Sequence, residues 1–337
     1  MTMKGDVLVV RNDRLGDTVL SLPVIPFLQE KYPNSKIHFL ADPSVAPLIR
    51  CVEGIESVLS ASDRNKDQSL DQIRHLQITS AYCLRPTFQN ALALKQAKVP
   101  NRYGTSRRWY SWLFNHRISI RRRGMNLHEA DLNLDLVTFP ETNRQVPFPK
   151  FNIPEADRQF ARTLIKSLNI DTRSEIVVVH PGSGNSARNW PAEYFRQLAT
   201  LLSEQGGVKL IITGIPSESE LCRSVADSTH VNLCGKSSLT QLAALLLESS
   251  LFIGNSTGPL HLASALGIPV TGLYPPVKDC LPVRWGPYNH PEMTITPDLP
   301  ICSKCRPGEF SECFCMEQIA PEDVFQKCLD ALRGSKR

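Results

Sequence analysis

The feature that most constrains the fold of this chain is a recurring unit: a short apolar run, a polar loop with glycine, then an amphipathic segment. The unit is most complete in Leu251–Val270, LFIGNSTGPLHLASALGIPV. Within it, Leu251–Ile253 has the length of a buried strand, and apolar residues recur at helical spacing from Leu260 to Leu266. The stretch therefore predicts a strand and a helix joined by a tight polar turn.

The turn before that helix carries the residue types that begin and end helices. Thr257 and Gly258 precede Pro259, which suits a first helical turn, and Gly267 follows the last apolar residue. A helix entered from a strand through small residues leaves its first backbone N–H groups free, and with the helix dipole that end attracts phosphate. Two interpretations remain here: an anion-binding site, or a threonine that only caps a core helix.

The same order of strand, loop and helix recurs along the chain. The predicted strands include Val7–Val10, Lys36–Leu40, Ile78–Leu84, Glu175–Val179, Val208–Thr213 and Val231–Leu233. Such alternation predicts parallel sheets with helices on both faces. A proline-rich run from Pro140 to Pro154 predicts a stiff linker. We therefore expect two α/β domains, 1–150 and 155–318, with the active site in a cleft between them.

Length and composition agree with a two-domain enzyme. The chain has 337 residues, enough for two domains of ordinary size. No apolar run approaches the ~20 residues that a membrane-spanning helix needs. The first residues, MTMKGDVLVVRND, lack an apolar core of signal-peptide length and predict a first strand instead. We expect a cytoplasmic protein without a transmembrane segment.

Positive charge is concentrated between Arg102 and Arg123, although the net charge of the chain is only +5. Arginines and aromatic residues are interleaved there: Arg102, Tyr103, Arg107, Arg108, Trp109, Tyr110, Trp112, Phe114, Arg117, Arg121, Arg122 and Arg123. Such a composition suits single-stranded nucleic acid, a membrane surface or a phosphorylated glycolipid. It equally suits a solvated loop whose tryptophans anchor it to the core.

Three motifs, in this order, resemble the lipopolysaccharide heptosyltransferases, the family 9 glycosyltransferases. They are RNDRLGDTVLSLP at Arg11–Pro23, HPGSGNSARNWP at His180–Pro191 and GNSTGPLHLASALG at Gly254–Gly267. The similarity runs over nearly the whole chain. It implies two Rossmann-like domains facing across a cleft, the GT-B type, with the acceptor in the first and the nucleotide sugar in the second. It also implies that a final helix, 321–333, packs back on the first domain.

The activity that the resemblance implies is an inverting, metal-independent transfer of heptose from ADP-heptose to a lipopolysaccharide-core or related glycolipid. The acceptor is a phosphorylated glycolipid at the inner membrane surface, so the enzyme is expected to be peripheral to that membrane and to bind no nucleic acid. Asp17, in the RLGD turn, matches the family's proposed general base. The residues alone favour a helix N-cap as the role of Asp17. Arg14, Arg107 and Arg108 are expected to hold the acceptor.

The donor is expected to bind the second domain. The predicted diphosphate-binding residues are Ser183, Arg188, Thr257, Gly258 and His261. Glu218 lies where relatives of this architecture bind the ribose with a carboxylate. Each prediction has a structural alternative: a surface arginine at Arg188, a packing histidine at His261 and an ordinary first-turn acid at Glu218. Many family members carry an aspartate where this chain has Ser256.

Four cysteines lie close together near the end of the chain: Cys302, Cys305, Cys313 and Cys315. Because disulfides do not persist in a reducing cytosol, they are a candidate structural metal site, for zinc or iron. Four free cysteines in a loop are the alternative. Catalysis itself is expected to need no cofactor.

Two other classes of function stay open at this point. One is a different enzyme on the same architecture, such as a transferase for another sugar or a nucleotide-sugar epimerase, because a fold does not determine its chemistry. The other is a non-catalytic protein that binds a nucleotide or nucleic acid through Arg102–Arg123. Ser256, in place of the usual aspartate, favours the second class.

Overall fold

The computed structural model describes residues 5–61, 66–120, 127–139, 146–168, 174–288, 290–302, 305 and 313–334. The chain divides into two compact units, Met1–Asn152 and Ile153–Arg337. The boundary falls in the proline-rich segment predicted as a linker. Arg121, Arg122 and Arg123 lie outside the described residues, as does the first part of that segment, 140–145.

The first unit has a parallel sheet with helices between its strands. Its strands are β1 (Asp6–Val10), β2 (Ile37–Ala41), β3 (Ser57–Ser60), β4 (Ile78–Cys83), β5 (Asn101–Thr105) and β6 (His116–Ile118). Its helices are α1 (Leu15–Val19), α2 (Val24–Lys31), α3 (Ala46–Ile49), α4 (Lys66–Arg74), α5 (Phe88–Gln96) and α6 (Glu129–Thr138). The strand order is β3-β2-β1-β4-β5-β6, with parallel pairing throughout the described residues.

The second unit repeats this plan. Its strands are β7 (Glu175–His180), β8 (Val208–Ile212), β9 (Val231–Asn232), β10 (Leu251–Asn255), β11 (Val270–Leu273) and β12 (Thr294–Ile295). Its helices are α7 (Glu155–Ser167), α8 (Ala192–Glu204), α9 (Ser219–Val225), α10 (Leu239–Leu247), α11 (Gly258–Ala265), α12 (Pro282–Trp285) and α13 (Pro321–Gly334). The order β12-β11-β10-β7-β8-β9 is again parallel. If the strands are numbered from one within each unit, and the second sheet is read from β9 to β12, both sheets have the order 3-2-1-4-5-6. This is the arrangement of dinucleotide-binding folds.

The strands at the centre of each sheet are apolar on both faces, as helix-covered parallel strands require. Val7, Val9, Phe252 and Ile253 are fully buried. The central strands, the helix at Gly258 and its end before Gly267 (φ +78°) are as predicted.

The last helix, α13, belongs to the second unit, and its expected packing on the first domain stays a prediction. Helix α13 packs on α8, β10 and β11 of the second unit. Its buried residues Val324 and Cys328 join the core cluster that contains Val177, Phe195 and Leu273. Its apolar residues form one stripe, which covers an apolar surface of α8 and these two interior strands.

After the first strand, the sequence pattern predicts one helix from about Thr18 toward Tyr32, and the structure has two helices, α1 and α2. The chain between them is held by hydrogen bonds that reach three residues back, from Ser21 N–H to the Thr18 carbonyl and from Leu22 N–H to the Val19 carbonyl. Pro23 explains the interruption, because proline has no N–H to donate and its ring crowds the preceding turn. No helix in the described part of the chain is long and apolar enough to span a membrane.

Candidate active site

Each sheet has a switch point, where the strand order reverses between its first and fourth strands. In parallel α/β sheets, ligands bind in the crevice beyond the carboxyl ends of these two strands. In the first unit the crevice lies beyond β1 and β4, and in the second unit beyond β7 and β10. All three sequence motifs of the resemblance follow β1, β7 or β10, so the fold brings each of them to a switch point.

Arg11, the first residue after β1, is the centre of the first crevice. Its guanidinium lies 3.0 Å from Asp13, 2.5 Å from Asp17 and 3.3 Å from Glu129. It also donates to Asn133 Oδ1 over 3.1 Å. The Arg11 side chain is only 2% exposed. One buried cation therefore holds three carboxylates that come from two distant parts of the chain.

This arrangement changes the protonation of its members. Burial opposes the charge of Arg11, but Asp13, Asp17 and Glu129 outweigh it and raise the pKa of the guanidinium. Burial raises the pKa of Asp13 to about 6, against the opposing effect of Arg11 and with a further contribution from the charge of Asp17. Asp13 therefore takes up a proton as pH falls toward 6.

Asp17 lies in the first turn of α1 and remains accessible. The cap position belongs to Arg14, whose backbone is extended (φ −65°, ψ 158°), so Asp17 is not the N-cap. The Asp17 side chain is 28% exposed, whereas its partner Arg11 is almost completely buried. A carboxylate that is both fixed by a buried cation and open to solvent is suited to accept a proton from a bound ligand. The predicted acceptor residue Arg14 is exposed beside it.

Sequence reasoning missed Arg11, Asp13, Arg85 and Glu129. Arg85 follows β4, donates to the Asn12 carbonyl over 2.7 Å and lies 3.8 Å from Asp13. Glu129 is fully buried at the start of α6. One signal was available for Arg11 and Asp13, since charged residues directly after a buried strand occupy the ligand edge of such a sheet. No local signal marks Glu129, because it reaches this site only through the packing of α6.

The two predicted loops of the second unit meet at its switch point. Ser186 Oγ lies 3.0 Å from the Ser256 carbonyl oxygen and 2.7 Å from the Ser183 carbonyl oxygen, so one hydroxyl lies between the two loops. Asn255 Nδ2 donates to the Pro181 carbonyl over 2.6 Å, and the Trp190 N–H donates to Asn255 Oδ1 over 2.8 Å. Asn255 is fully buried, so these bonds are shielded from water. The loops after β7 and β10 are thus tied into one rigid surface.

Helix α11 begins on that surface. Thr257 is extended (φ −148°, ψ 160°), and its side chain makes no capping hydrogen bond to the helix. A capping threonine accepts a hydrogen bond from a backbone N–H of the first helical turn, and Thr257 accepts none. The structure therefore does not support a role for its side chain as only a helix cap. The helix dipole directs a partial positive charge at the crevice, where Ser256 contributes no carboxylate. His261, one turn further on, is 4% exposed, with its ring centroid 6.5 Å from that of Trp285.

The predicted phosphate ligands of the loop after β7 have structural partners. Ser183 Oγ donates to the Ala187 carbonyl over 2.9 Å, so it must rotate before it can donate to a phosphate. Arg188 is half-buried and donates through one nitrogen to the Cys313 carbonyl over 3.0 Å. Both side chains keep the loop in shape, and their contacts with a diphosphate stay predictions.

Glu218 joins two loops at the same edge. It is the last residue of the short 3₁₀ turn Pro216–Glu218, and its carboxylate accepts the N–H groups of Gly184 and Ile215, each over 3.0 Å. A carboxylate has lone pairs for further donors, such as sugar hydroxyls. Burial lowers the pKa of nearby His180 to about 4, although Glu218 acts in the opposite direction. His180 is therefore neutral at physiological pH.

The four cysteines of the predicted metal site lie near one another, and the site itself stays a prediction. Among the described residues, which include Cys302, Cys305, Cys313 and Cys315, no group of three or more cysteine, histidine or acidic side chains is placed to hold a metal ion. Burial, and then the neighbouring Cys313, Cys305 and Cys302, raise the pKa of Cys315 to about 12. Cys302 and Cys313 pack against the buried cluster that contains Val277, Cys280 and Cys305.

Two parallel α/β units, each with a ligand crevice at its switch point, define the class: a GT-B-type glycosyltransferase fold. The chain belongs to glycosyltransferase family 9, the heptosyltransferases, whose model matches residues 70–310. Lipopolysaccharide core heptosyltransferase OpsX of Haemophilus influenzae is 24% identical over 306 residues, 86% of this chain and 83% of OpsX.

Solved structures agree with this assignment. The structure of E. coli ADP-heptose lps heptosyltransferase II matches with a TM-score of 0.82 and 19% identity, over 98% of this chain and 100% of that one. E. coli heptosyltransferase WaaC with ADP matches with a TM-score of 0.72 and 19% identity, over 97% and 99% of the two chains. The family resemblance and the α/β fold are therefore confirmed, and the protein is a glycosyltransferase.

Proposed function

We propose that this glycosyltransferase moves heptose from ADP-heptose to a phosphorylated lipopolysaccharide-core acceptor, with inversion at the anomeric carbon. The second unit binds the donor and the first binds the acceptor. No metal ion or other cofactor takes part. The observation that carries the proposal is Asp17 at the first switch point, solvent-accessible and fixed by buried Arg11, in a chain of family 9.

In the proposed reaction, Asp17 acts as the general base. An acceptor hydroxyl gives its proton to the Asp17 carboxylate as its oxygen attacks the anomeric carbon. The new carbon–oxygen bond forms on one face of the sugar while the bond to the diphosphate breaks on the other, and ADP leaves with the electron pair. Arg11 prevents the carboxylate from rotating away, so that its contribution comes from placement against the hydroxyl.

The donor's diphosphate would lie at the start of α11. Negative charge grows on the departing diphosphate, and the dipole and N–H groups at Thr257 and Gly258 are already oriented to stabilise it. Arg188 and Ser183 would contact the same phosphates from the neighbouring loop, with His261 one turn into the helix. Glu218 would accept hydrogen bonds from the ribose hydroxyls while it holds Gly184.

The acceptor's phosphate groups would pair with arginines of the first unit. Arg14, Arg107 and Arg108 are exposed and carry full charge. Because the acceptor is a glycolipid, the enzyme would work on the cytoplasmic side of the inner membrane, attached peripherally to its surface.

The test is transfer by an Asp17→Asn variant. ADP release and the mass gain of a lipopolysaccharide-core acceptor are measured with ADP-heptose as donor. We expect a loss of about 10²–10⁴-fold in kcat, typical of a removed general base, with the thermal shift produced by ADP retained. Undiminished turnover in this variant would falsify the assignment of the base.

Asp157→Asn is the matched control. Asp157 also lies in the first turn of a helix, α7, but takes no part in the Arg11 cluster. Normal turnover in this variant shows that a first-turn aspartate is not needed in general. If the wild-type protein converts ADP-heptose to another nucleotide sugar without acceptor, it is an epimerase and the proposal is wrong.

A further inference from the structure

Between β5 and β6 the chain makes an exposed turn, Arg107–Trp112, called here the basic-aromatic turn. It lies in a stretch, 72–128, that contains eleven lysines and arginines and no aspartate or glutamate. In the rest of the chain, acidic residues outnumber basic ones. The positive charge of this part of the first unit is therefore not neutralised by acids nearby in sequence.

The turn presents two large aromatic side chains to solvent. Trp109 is 76% exposed and Trp112 is 57% exposed, and Trp109 has the largest exposure of any large hydrophobic residue in the described chain. Solvent exposure of two tryptophans so close together is unfavourable unless another surface covers them. Arg107 and Arg108 precede them directly and are exposed as well.

The turn is held firmly rather than left loose. Ser111 Oγ donates to the Thr105 carbonyl over 2.7 Å and accepts the Arg108 N–H over 3.0 Å. Tyr110 and Leu113 are buried beneath it. Because Tyr110 and Leu113 point into the core, the tryptophans next to them must point outward. The fixed backbone of the turn therefore keeps both tryptophans exposed.

We propose that the basic-aromatic turn docks the protein on the surface of an anionic phospholipid bilayer. Tryptophan is enriched at membrane interfaces, where its ring lies among the headgroups, and basic residues beside it are attracted by anionic lipids. The two properties occur together here on one rigid turn. The turn belongs to the unit that is proposed to bind the glycolipid acceptor. Its docking on a bilayer follows from the charge and exposure of the turn alone.

The ring contacts favour a bilayer over nucleic acid. One face of Trp109 stacks on Phe88, with ring centroids 5.2 Å apart. One face of Trp112 is covered by the Lys95 ammonium, 4.2 Å from the ring centroid. Bases of single-stranded nucleic acid bind by stacking on open ring faces. Indoles with one face already covered are better suited to insert edge-on among headgroups, with Lys95 at the level of the phosphates.

The test is co-sedimentation of the full chain with lipid vesicles, without nucleotide sugar or acceptor. Vesicles of phosphatidylcholine alone are compared with vesicles containing about 30% phosphatidylglycerol, at low and high salt. We expect binding only to the anionic vesicles, decreasing with salt. Trp109→Ala/Trp112→Ala and Arg107→Gln/Arg108→Gln should each lower the partition coefficient about tenfold or more, since one basic residue contributes about fivefold.

Matched controls lie on the second unit. Phe314→Ala removes an aromatic ring that is 70% exposed, and Lys166→Gln/Arg223→Gln removes two exposed charges. Both should bind vesicles like the wild type. Equal losses in the controls, or binding to neutral vesicles, overturn the proposal. So does salt-sensitive binding of single-stranded DNA that Arg107→Gln/Arg108→Gln abolishes while vesicle binding persists. Urea unfolding verifies that each variant is folded, and none of these outcomes bears on transfer by Asp17.

Discussion

The two switch points have the same strand order and opposite chemistry. Beyond β1 and β4 the crevice is ionic, with buried Arg11 among three carboxylates. Beyond β7 and β10, hydroxyl, amide and backbone groups connect the loops through Ser186 and Asn255, and the Glu218 carboxylate accepts backbone N–H groups without a buried cation beside it among the described contacts. The difference shows that the repeated fold supplies only the position of a site, and that the loop after each strand determines what the site can bind.

This contrast has a physical consequence for each half. The ionic crevice can hold a base, because a fixed cation keeps a carboxylate in one place. The second crevice can hold a diphosphate, because the start of α11 attracts anions and Ser256 beside it contributes no carboxylate. Four substitutions test whether the contrast is real, beginning with the largest expected effect and ending with the smallest.

Replacing Arg11 with Met should have the largest effect. It removes the arginine that pairs with buried Glu129 and partly buried Asp13, which costs about 3–5 kcal/mol of unfolding free energy. Urea denaturation measures this loss, and transfer activity should disappear with it. Arg196→Met removes an arginine from an exposed pair with Glu193 and should leave the urea midpoint almost unchanged. A stable Arg11→Met protein would show that the first crevice does not depend on its ion network.

Replacing Gly182 with Ala should damage the second crevice. A Cβ atom at Gly182 would lie 2.0 Å from Glu218 Oε1, so the carboxylate must move. It would then lose the N–H groups of Gly184 and Ile215. We expect ADP to bind about tenfold more weakly by calorimetry, the equivalent of one or two hydrogen bonds. Gly334→Ala, where a Cβ meets open space, should bind ADP normally. Equal affinity in both variants would exclude Glu218 from the donor site.

The stability of the ionic crevice should depend on pH through Asp13. Its folded-state pKa, about 6, lies above the ordinary value of 3.8, so the folded protein holds more protons than the unfolded one between these pH values. Stability from this group therefore falls as pH rises from about 4 to 6, by up to ~3 kcal/mol. Asp13→Asn should lack this decrease in urea titrations at pH 4.5 and 7. A parallel profile for wild type and variant would contradict the raised pKa.

Replacing Ser186 with Ala should have the smallest effect. The hydroxyl links the loops after β7 and β10, and its loss should cost about 1 kcal/mol and weaken ADP binding roughly fivefold. Ser224→Ala is the control, because its hydroxyl makes a similar bond, to the Leu221 carbonyl over 2.8 Å, away from the crevice. If both variants bind ADP like the wild type, the link between the loops does not shape the donor site.

Much of the fold was predictable from local patterns. Strand β10 and helix α11 follow from an apolar run, a glycine-containing turn and apolar residues at helical spacing, all within about 20 residues. The strands β5 and β6 were not predicted. Arg102 and Tyr103 lie in β5 and His116 and Arg117 in β6, and their polar side chains hide the period of a strand. The interruption at Pro23 was visible in the sequence and was overlooked.

The candidate site was predictable in part. Asp17 and Thr257 were predicted from motifs and Glu218 from its early helix position, and the structure brings Thr257 to the second switch point with the Ser186 loop. The four cysteines show the limit of spacing, because they lie near one another and yet no group of three is placed to hold a metal ion among the described residues. How neighbouring thiols are oriented depends on the path of the loops around them, and spacing does not encode that path.

The sequence by itself determined the order of the elements, the starts of helices such as α11 and the family, because these depend on residues near one another along the chain. Only the tertiary structure decided that Glu129 pairs with Arg11, 118 positions earlier, and that α13 packs on the second unit. Such contacts depend on which strands become neighbours. That choice is made when the whole sheet buries its apolar faces, and no single segment records it.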